Sequence, residues 1–233
     1  NKNKNELITS KNEAIEILRK VNDAWQLNKP KHEDAFWHRA AYHTGNMAAY
    51  EVTKEQRYLD FSTSWAKANE WKGAKSDNRS NWKYSYGETD DYVLFGDWQT
   101  CFQVYADLYN LDPDDYKIAR AIEVMEYQMS TQQNDYWWWA DGLYMVMPVM
   151  TKLYNITNNE LYLNKLYEYF SFAKELMYDE ESGLFYRDAK YIFPEHKTNN
   201  GEKDFWARGN GWVFAGLAKV LEDLPLNNIH RDE

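Results

Sequence analysis

The 233-residue chain has little of what would indicate a disulfide framework, an interdomain linker or a membrane anchor. Cys101 is its one cysteine, which excludes an intramolecular disulfide and leaves the compartment open: cytoplasmic, periplasmic or secreted. Five prolines and ten glycines form no low-complexity tract, so we expect a single domain over 1–233. The longest apolar stretch, 136–150, is too short to cross a bilayer, and no signal peptide is visible. The sequence therefore predicts a soluble protein.

Basic residues are also in deficit, with 27 Lys and Arg against 37 Asp and Glu and a net charge of −10. This balance argues against a nucleic-acid or membrane-surface partner, so an anionic ligand requires a local cationic clamp. The histidines and the cysteine show no metal-ligand spacing, and no phosphate-binding glycine loop is present. We therefore expect neither a metal nor a cofactor.

Aromatic residues are abundant instead. They make up 17% of the chain and include 11 Trp and 19 Tyr, more than a core alone requires. Flat rings in excess of the core indicate a ligand surface, and sugar rings stack on such faces. The composition favours a carbohydrate as the partner.

Helical periodicity dominates the sequence, and strand-like alternation is nearly absent. Capping signals at Ser10, at 112–114 and at 157–159 mark helix starts, and 183–188 is compatible with a short extended piece. The periodicity predicts eight helices, at about 11–28, 37–53, 56–72, 96–110, 114–130, 139–155, 159–178 and 205–223.

These helices repeat as hairpins. Three times an aromatic-rich helix ends in a polar turn and is followed by an amphipathic helix. The first helix of each pair, and the last helix of the chain, opens with a polar and aromatic cluster: 37–39, 96–98, 139–141 and 206–208. Such a repeat predicts an all-α toroid whose inner helices begin at one pocket. A three-helix-wide bundle is the alternative, but it does not place these clusters at equivalent points.

Two aspartates are candidates for acid catalysis. Asp141 follows three consecutive tryptophans, and a carboxyl group among indoles has a raised pKa because its charged form is poorly solvated. The alternative role of Asp141 is a helix N-cap, and a helix N-terminus lowers a carboxyl pKa. Asp97 opens the preceding inner helix, and a second nearby carboxylate raises one pKa of the pair.

Binding residues are expected on the same side of the toroid. Arg208 and Trp212 lie four residues apart on one helical face, suited to gripping a carboxylate and stacking on the attached ring. An ion pair of Arg208 with Asp204 or Glu202 on the surface is the alternative. Trp37 and Tyr42 are further candidates for lining the pocket, although aromatic residues at helical spacing also belong to cores.

The segments Trp-Ala-Asp-Gly-Leu-Tyr-Met at 139–145 and Trp-Ala-Arg-Gly-Asn-Gly-Trp at 206–212 resemble glycoside hydrolase family 105. These unsaturated rhamnogalacturonyl hydrolases are related to the unsaturated glucuronyl hydrolases. The resemblance runs from about Asp34 to the end of the chain. It implies an (α/α)6 toroid and metal-free removal of a terminal 4,5-unsaturated uronic acid from lyase-generated, pectin-type oligosaccharides by hydration of the C4=C5 bond.

The resemblance also implies roles for individual residues. Asp141 corresponds to the catalytic aspartate and Asp97 to the second one. Arg208 and Trp212 correspond to the binders of the uronate carboxylate and ring, and Trp139 to a wall of the subsite. One departure concerns the loop before the Arg208 motif, where the family often has a histidine and this chain has Arg187.

A second departure is the helix count, which is eight where the toroid has twelve. The resemblance therefore implies that about the C-terminal third of the domain is missing from 1–233. We expect the last helix to expose Val213, Phe214, Leu217 and Val220 along an open edge. Two rival functions stay open: a toroidal glycosidase acting on saturated sugars, and a non-catalytic carbohydrate-binding toroid.

Overall fold

The structure, a computed structural model, describes residues 10–29 and 33–232. Most of this part of the chain is helical, with short 3₁₀ turns at Arg79–Asn81, Asp115–Lys117 and Ala189–Tyr191. The strands β1 (Tyr178–Asp179) and β2 (Leu184–Phe185) pair in one antiparallel hairpin. The helices are α1 (Lys11–Asn28), α2 (Trp37–Thr53), α3 (Gln56–Ala68), α4 (Gly96–Gln99), α5 (Cys101–Leu111), α6 (Ala119–Ser130), α7 (Gly142–Met145), α8 (Met147–Thr157), α9 (Leu161–Met177) and α10 (Ala207–Asp223).

The helices form an inner and an outer layer. The inner helices follow one another around an arc, since α2 packs on α5, α5 on α8 and α8 on α10. Outer helices back this arc: α1 and α3 pack on α2, and α9 packs on α8 and on α6. The predicted all-α arrangement of helical hairpins is thereby confirmed. Because an outer helix returns the chain after each inner one, the inner helices all begin on the same side.

Local signals explain several helix ends. The predicted start at Ser10 is confirmed, since its Oγ accepts a hydrogen bond from the Glu13 amide at 3.2 Å. Asn159 Oδ1 accepts one from the Leu161 amide at 3.0 Å, at the start of α9. Asp114 makes no capping bond, and a 3₁₀ turn precedes α6 instead. The extended piece predicted near 184 is present as β2.

Two inner helices predicted as continuous are each divided, with a single turn ahead of the main helix. The predicted helix 96–110 consists of α4 and α5, and the predicted helix 139–155 consists of α7 and α8. Pro148 accounts for the second division, because it has no amide hydrogen to donate to the Tyr144 carbonyl four residues earlier. The Val149 amide binds the Val146 carbonyl at 2.9 Å, in a tighter turn. Asp97 lies in the first of these separate turns, and Asp141 immediately precedes the second.

The contact between α10 and α7 brings the last inner helix close to Asp141. A Cβ atom at Gly216 would lie 2.3 Å from the Leu143 carbonyl oxygen, so only glycine permits this approach. The same packing corrects the predicted open edge. Val213 and Val220, on a helix that packs on α7 and α8, are 3% and 6% exposed, whereas Phe214 is 78% exposed. The prediction was therefore wrong for the two valines.

Candidate active site

A cleft of about 600 Å³ opens where the inner helices begin. Its walls come from the beginnings of α2, α4 and α10, from the segment before α7, and from two irregular segments that precede α4 and α10. The lining residues are Trp37, Tyr86, Phe95, Asp97, Trp138, Trp139, Asp141, Arg187, Asp188, Tyr191, Asp204, Phe205, Trp206, Ala207 and Arg208.

Aromatic rings enclose the segment that carries Asp141. The ring of Trp139 lies 4.9 Å from that of Phe95 and 4.6 Å from that of Trp138. The Ala140 amide donates to the Arg187 carbonyl at 2.8 Å, and Trp139 forms a β-bridge with Asp188. These contacts fix the main chain immediately before Asp141 against the loop that follows β2.

The two aspartates are both buried, Asp97 being 6% exposed and Asp141 8% exposed. Burial, together with the charges of Asp141 and Glu88, raises the pKa of Asp97 to about 8. Burial raises the pKa of Asp141 to about 6, and a main-chain hydrogen bond, Arg208 and Arg187 act in the opposite direction. Around neutral pH the pair therefore holds a proton that solvent-exposed aspartates would have released. Asp97 keeps this proton to higher pH than Asp141.

Two arginines supply positive charge on the Asp141 side of the cleft. The Arg208 guanidinium lies 4.5 Å from the centre of the Trp206 ring. Arg187 donates from Nε to Asp188 Oδ2 at 2.9 Å, and its guanidinium lies 4.6 Å from the centre of the Tyr191 ring. Both arginines lower the pKa of Asp141, whereas neither acts on the pKa of Asp97.

Five of the seven residues proposed from the sequence line this cleft. They are Asp97, Asp141, Trp139, Arg208 and Trp37. Asp204, the alternative ion-pair partner of Arg208, contacts His196 Nε2 at 2.7 Å instead.

Tyr42 and Trp212 do not line the cleft, which corrects their proposed positions. Tyr42 is five residues beyond Trp37, which rotates it about 140° around α2. It stacks on Trp25 at 4.8 Å and donates to Asn22 Oδ1 at 2.6 Å, between α1 and α2. Trp212 lies one turn behind Arg208, where its ring is 4.5 Å from that of Tyr144 and 6.2 Å from that of Trp37. It therefore supports the wall formed by Trp37.

Sequence reasoning missed Tyr86 and Tyr191 and left Asp188 and Asp204 without a role in the pocket. All four belong to segments without helical periodicity, so no pattern placed them near an inner-helix start. Tyr86 is 61% exposed, and its phenol donates to Glu88 Oε1 at 2.5 Å. Its ring meets the buried Phe95 edge to face at 5.7 Å.

Two further findings concern the described part of the chain. Within residues 10–29 and 33–232, no group of three or more His, Cys, Asp or Glu side chains is arranged to hold a metal ion. None of the helices in the same ranges combines the length and the apolar character needed to cross a bilayer.

The helical hairpins, the buried carboxylate pair and the aromatic walls are features of a toroidal glycoside hydrolase. Residues 9–233 match the sequence profile described as Glycosyl Hydrolase Family 88, and the chain belongs to this family. The match confirms the resemblance that the two tryptophan-rich motifs indicated.

Solved structures share this fold. Glycosyl hydrolase family 88 from Bacteroides vulgatus is 56% identical with a TM-score of 0.95, covering 96% of this chain and 64% of its own. A structure described as a polysaccharide lyase is 67% identical, also with a TM-score of 0.95, covering 96% and 63%. A family 105 glycoside hydrolase from C. acetobutylicum shares the fold at 21% identity and a TM-score of 0.68, covering 94% and 61%.

Curated relatives carry a more specific description. The unsaturated 3S-rhamnoglycuronyl hydrolase of Formosa agariphila is 29% identical over 206 residues, 84% of this chain and 52% of the relative. The protein of the same description from Alteromonas sp. is 38% identical over 96 residues, 41% of this chain and 23% of the relative. The chain thus spans about half the length of the first of these and under two thirds of the solved neighbours.

Proposed function

We propose that this protein removes a terminal 4,5-unsaturated uronic acid from oligosaccharides by hydrating the C4=C5 bond. The observation that carries the proposal is the convergence of two arginines and a buried, protonatable carboxylate in one aromatic cleft. A uronic acid supplies the matching groups: a carboxylate for the arginines and a flat ring for the indoles. The description of the curated relatives as unsaturated rhamnoglycuronyl hydrolases supports the same substrate class.

Asp141 is the proposed proton donor. In the unsaturated uronate the carboxylate is attached to C5, so an arginine that holds it brings the adjacent C4=C5 bond close. Arg208 and Arg187 both act electrostatically on Asp141 and not on Asp97, which favours Asp141 as the group beside this bond. A pKa of about 6 leaves Asp141 partly protonated in mildly acidic and neutral solution.

The reaction that follows balances without a cofactor. Asp141 gives its proton to C4, and the positive charge that develops at C5 is shared with the ring oxygen. Water adds at C5 and returns a proton to the Asp141 carboxylate. The resulting hemiketal opens by breaking the bond between C5 and the ring oxygen, and the hemiacetal at C1 then collapses and releases the next sugar as an alcohol.

Asp97 and the aromatic walls have supporting roles in this proposal. With a pKa of about 8, Asp97 is mostly neutral while Asp141 reacts, so it can donate a hydrogen bond to a sugar hydroxyl. Trp139, Trp37 and the Trp206 ring under Arg208 exclude water and present flat faces to the uronate. Tyr86 and Trp138 provide further aromatic surface on which the leaving sugar could stack.

The leaving sugar is the finer part of the proposal. The family resemblance carried by the two tryptophan-rich motifs implies a pectin-type oligosaccharide, whereas the curated relatives are described as unsaturated 3S-rhamnoglycuronyl hydrolases. Unsaturated disaccharides that differ only in this sugar distinguish the two. A higher kcat/KM for the sulfated rhamnoside would replace the pectin-type assignment.

A single assay separates the proposed function from its rivals. The double bond conjugated with the carboxylate absorbs in the ultraviolet, so hydration removes absorbance while a polysaccharide lyase creates it. We expect the protein to consume the absorbance of an unsaturated disaccharide and to leave an intact polysaccharide unchanged. Cleavage of a saturated uronide instead would support an ordinary glycosidase, and binding without turnover would support a carbohydrate-binding protein.

A further inference from the structure

The helix that follows Asp141 is broken one turn later, and the break leaves main-chain carbonyls without helical partners. Pro148 cannot donate to the Tyr144 carbonyl, and the Val149 amide binds Val146 instead of Met145. Both carbonyls lie in the protein interior, where an unpaired acceptor is costly. Their hydrogen bonds must therefore come from elsewhere.

Gln103 supplies both of these hydrogen bonds. This side chain belongs to α5 and is 0% exposed. Its Nε2 donates to the Tyr144 carbonyl at 2.8 Å and to the Met145 carbonyl at 3.1 Å. One amide thus replaces, at the C-terminal end of α7, the two donors that the proline break removes.

Lys219 fixes the orientation of that amide. Its Nζ lies 3.0 Å from Gln103 Oε1 and 5.5 Å from the centre of the Tyr144 ring. The amide oxygen can only accept, so Lys219 must donate to it, and the Gln103 amino group is left facing the carbonyls. Lys219 belongs to α10, which also carries Arg208, three turns nearer the cleft.

Lys219 lies in a cluster of charged residues that includes Lys152, Asp107, Asp223 and Glu222. Lys152 contacts Asp107 at 2.7 Å and Asp223 at 3.8 Å, and Glu222 follows on α10. Burial, followed by the charge of Lys152, lowers the pKa of Lys219, while the carboxylates of Asp107, Asp223 and Glu222 raise it. Lys219 is thus a half-buried amine that contacts an amide oxygen and an aromatic face, at the end of the inner helices away from the cleft.

We infer that Gln103 and Lys219 are positioning residues that hold the Asp141 turn in register with Arg208. The path is continuous: Lys219 on α10 binds Gln103 on α5, and Gln103 binds the carbonyls of the turn that begins at Asp141. A second contact joins the turn to the Asp97 side, since Thr100 Oγ1 donates to Met145 Sδ at 3.0 Å. The role in catalysis rests on the proposed function, whereas the role in placing the carboxylate does not.

The test compares two matched side-chain amides. Gln103→Met keeps the side-chain length and removes the two donated bonds. The control is Asn69→Leu, because Asn69 is 6% exposed and its Nδ2 also donates to two main-chain carbonyls, those of Glu33 and Trp65, outside the cleft. We expect Gln103→Met to lower kcat on an unsaturated disaccharide on the order of 10- to 100-fold with a smaller change in KM. Asn69→Leu should leave both within about twofold of the wild type, because its carbonyl partners lie outside the reacting site.

Three further variants cover the case in which Gln103→Met does not fold. Gln103→Glu keeps an oxygen that accepts from Lys219 but replaces the amino group that donates to the Tyr144 and Met145 carbonyls. We therefore expect kcat to fall as it does in Gln103→Met. Lys219→Arg keeps a donor and should retain more activity than Lys219→Met. Equal losses in the Gln103 variants and Asn69→Leu, at equal Tm, would overturn the inference.

The carboxyl titration makes the inference testable without turnover. In protein carrying ¹³C-carboxyl aspartate, the Asp141 resonance is assigned through Asp141→Asn. We expect Gln103→Met to shift the apparent pKa of Asp141, and Asn69→Leu to leave it unchanged. An unchanged Asp141 pKa in both variants would contradict the positioning role, whether or not the wild type is active. Inactivity of the wild type on unsaturated sugars would contradict only the proposed function.

Discussion

The negative charge of Asp141 raises the pKa of Asp97, while the arginines that face the cleft act on Asp141 alone. The two carboxyl groups therefore differ in pKa although both are buried in the same cleft. Asp141 titrates near pH 6 and Asp97 near pH 8, which gives each group a distinct pH range. Their assignments can be tested separately.

The pH dependence of kcat/KM identifies the proton donor. A general acid must be protonated to react, so activity is lost as pH rises through its pKa. If Asp141 donates, activity falls with an apparent pKa of about 6. A loss centred near pH 8 would assign the donor to Asp97 instead. Because the groups interact, the measured values belong to the pair, and the single-residue variants are needed to complete the assignment.

Asp141→Asn should abolish turnover while leaving the fold intact, because the amide keeps the size of the side chain but cannot donate the proton. We expect kcat to fall on the order of 10²-fold or more. The same substitution removes the charge that raises the pKa of Asp97, so that pKa should fall in a ¹³C-carboxyl titration. Near-normal turnover in a folded Asp141→Asn protein would exclude Asp141 from the mechanism.

Asp97→Asn should stabilise the protein at neutral and alkaline pH. Folded Asp97 keeps its proton to about pH 8, whereas in the unfolded chain it ionises near pH 4. The free energy of unfolding therefore falls as pH rises between these two values, and Asn removes that dependence. We expect Tm at pH 8 to rise by roughly 2–8 °C.

Asp179→Asn is the opposite control for this stability test. Lys203 donates to Asp179 and lowers its pKa, so removal of that carboxylate should decrease Tm at the same pH. An unchanged Tm in Asp97→Asn across pH 5 to 8 would mean that Asp97 is not strained by burial.

Arg208→Lys should weaken binding of an unsaturated uronate on the order of 10-fold, because an ammonium group cannot reproduce a two-pronged contact with a carboxylate. Binding of the corresponding neutral sugar should change little, as measured by calorimetry. Arg79→Lys is a suitable control, since Arg79 pairs with Glu123 outside the cleft. Equal losses for both ligands would indicate that Arg208 has a structural role through Trp206.

The helical architecture could be predicted from the sequence because each hairpin has its own periodicity and turn signals. It also located Asp97, Asp141 and Arg208, since each lies where an inner helix begins. It could not determine how a helix is rotated against its neighbours, which is why Tyr42 and Trp212 were placed in the pocket and Val213 on an open edge. Those orientations depend on tertiary contacts such as the approach of Gly216 to Leu143.

The sequence also could not predict which residues of the irregular segments reach the cleft. Tyr86 and Tyr191 reach the cleft from loops, where no period relates a residue to a face. The division of the inner helix after Asp141 had a local signal in Pro148, but the compensating amide of Gln103 comes from another helix. Sequence spacing alone does not show such a pairing.

Hydration of the C4=C5 bond can be followed by proton NMR of an unsaturated disaccharide treated with this protein in D₂O. Hydration predicts that the vinyl H4 signal disappears as the leaving sugar is released, and that C4 of the first product carries one deuterium in a single configuration. Release of the sugar together with an unsaturated uronic acid that keeps its H4 signal would place the reaction at C1. That result would contradict hydration of the C4=C5 bond by Asp141.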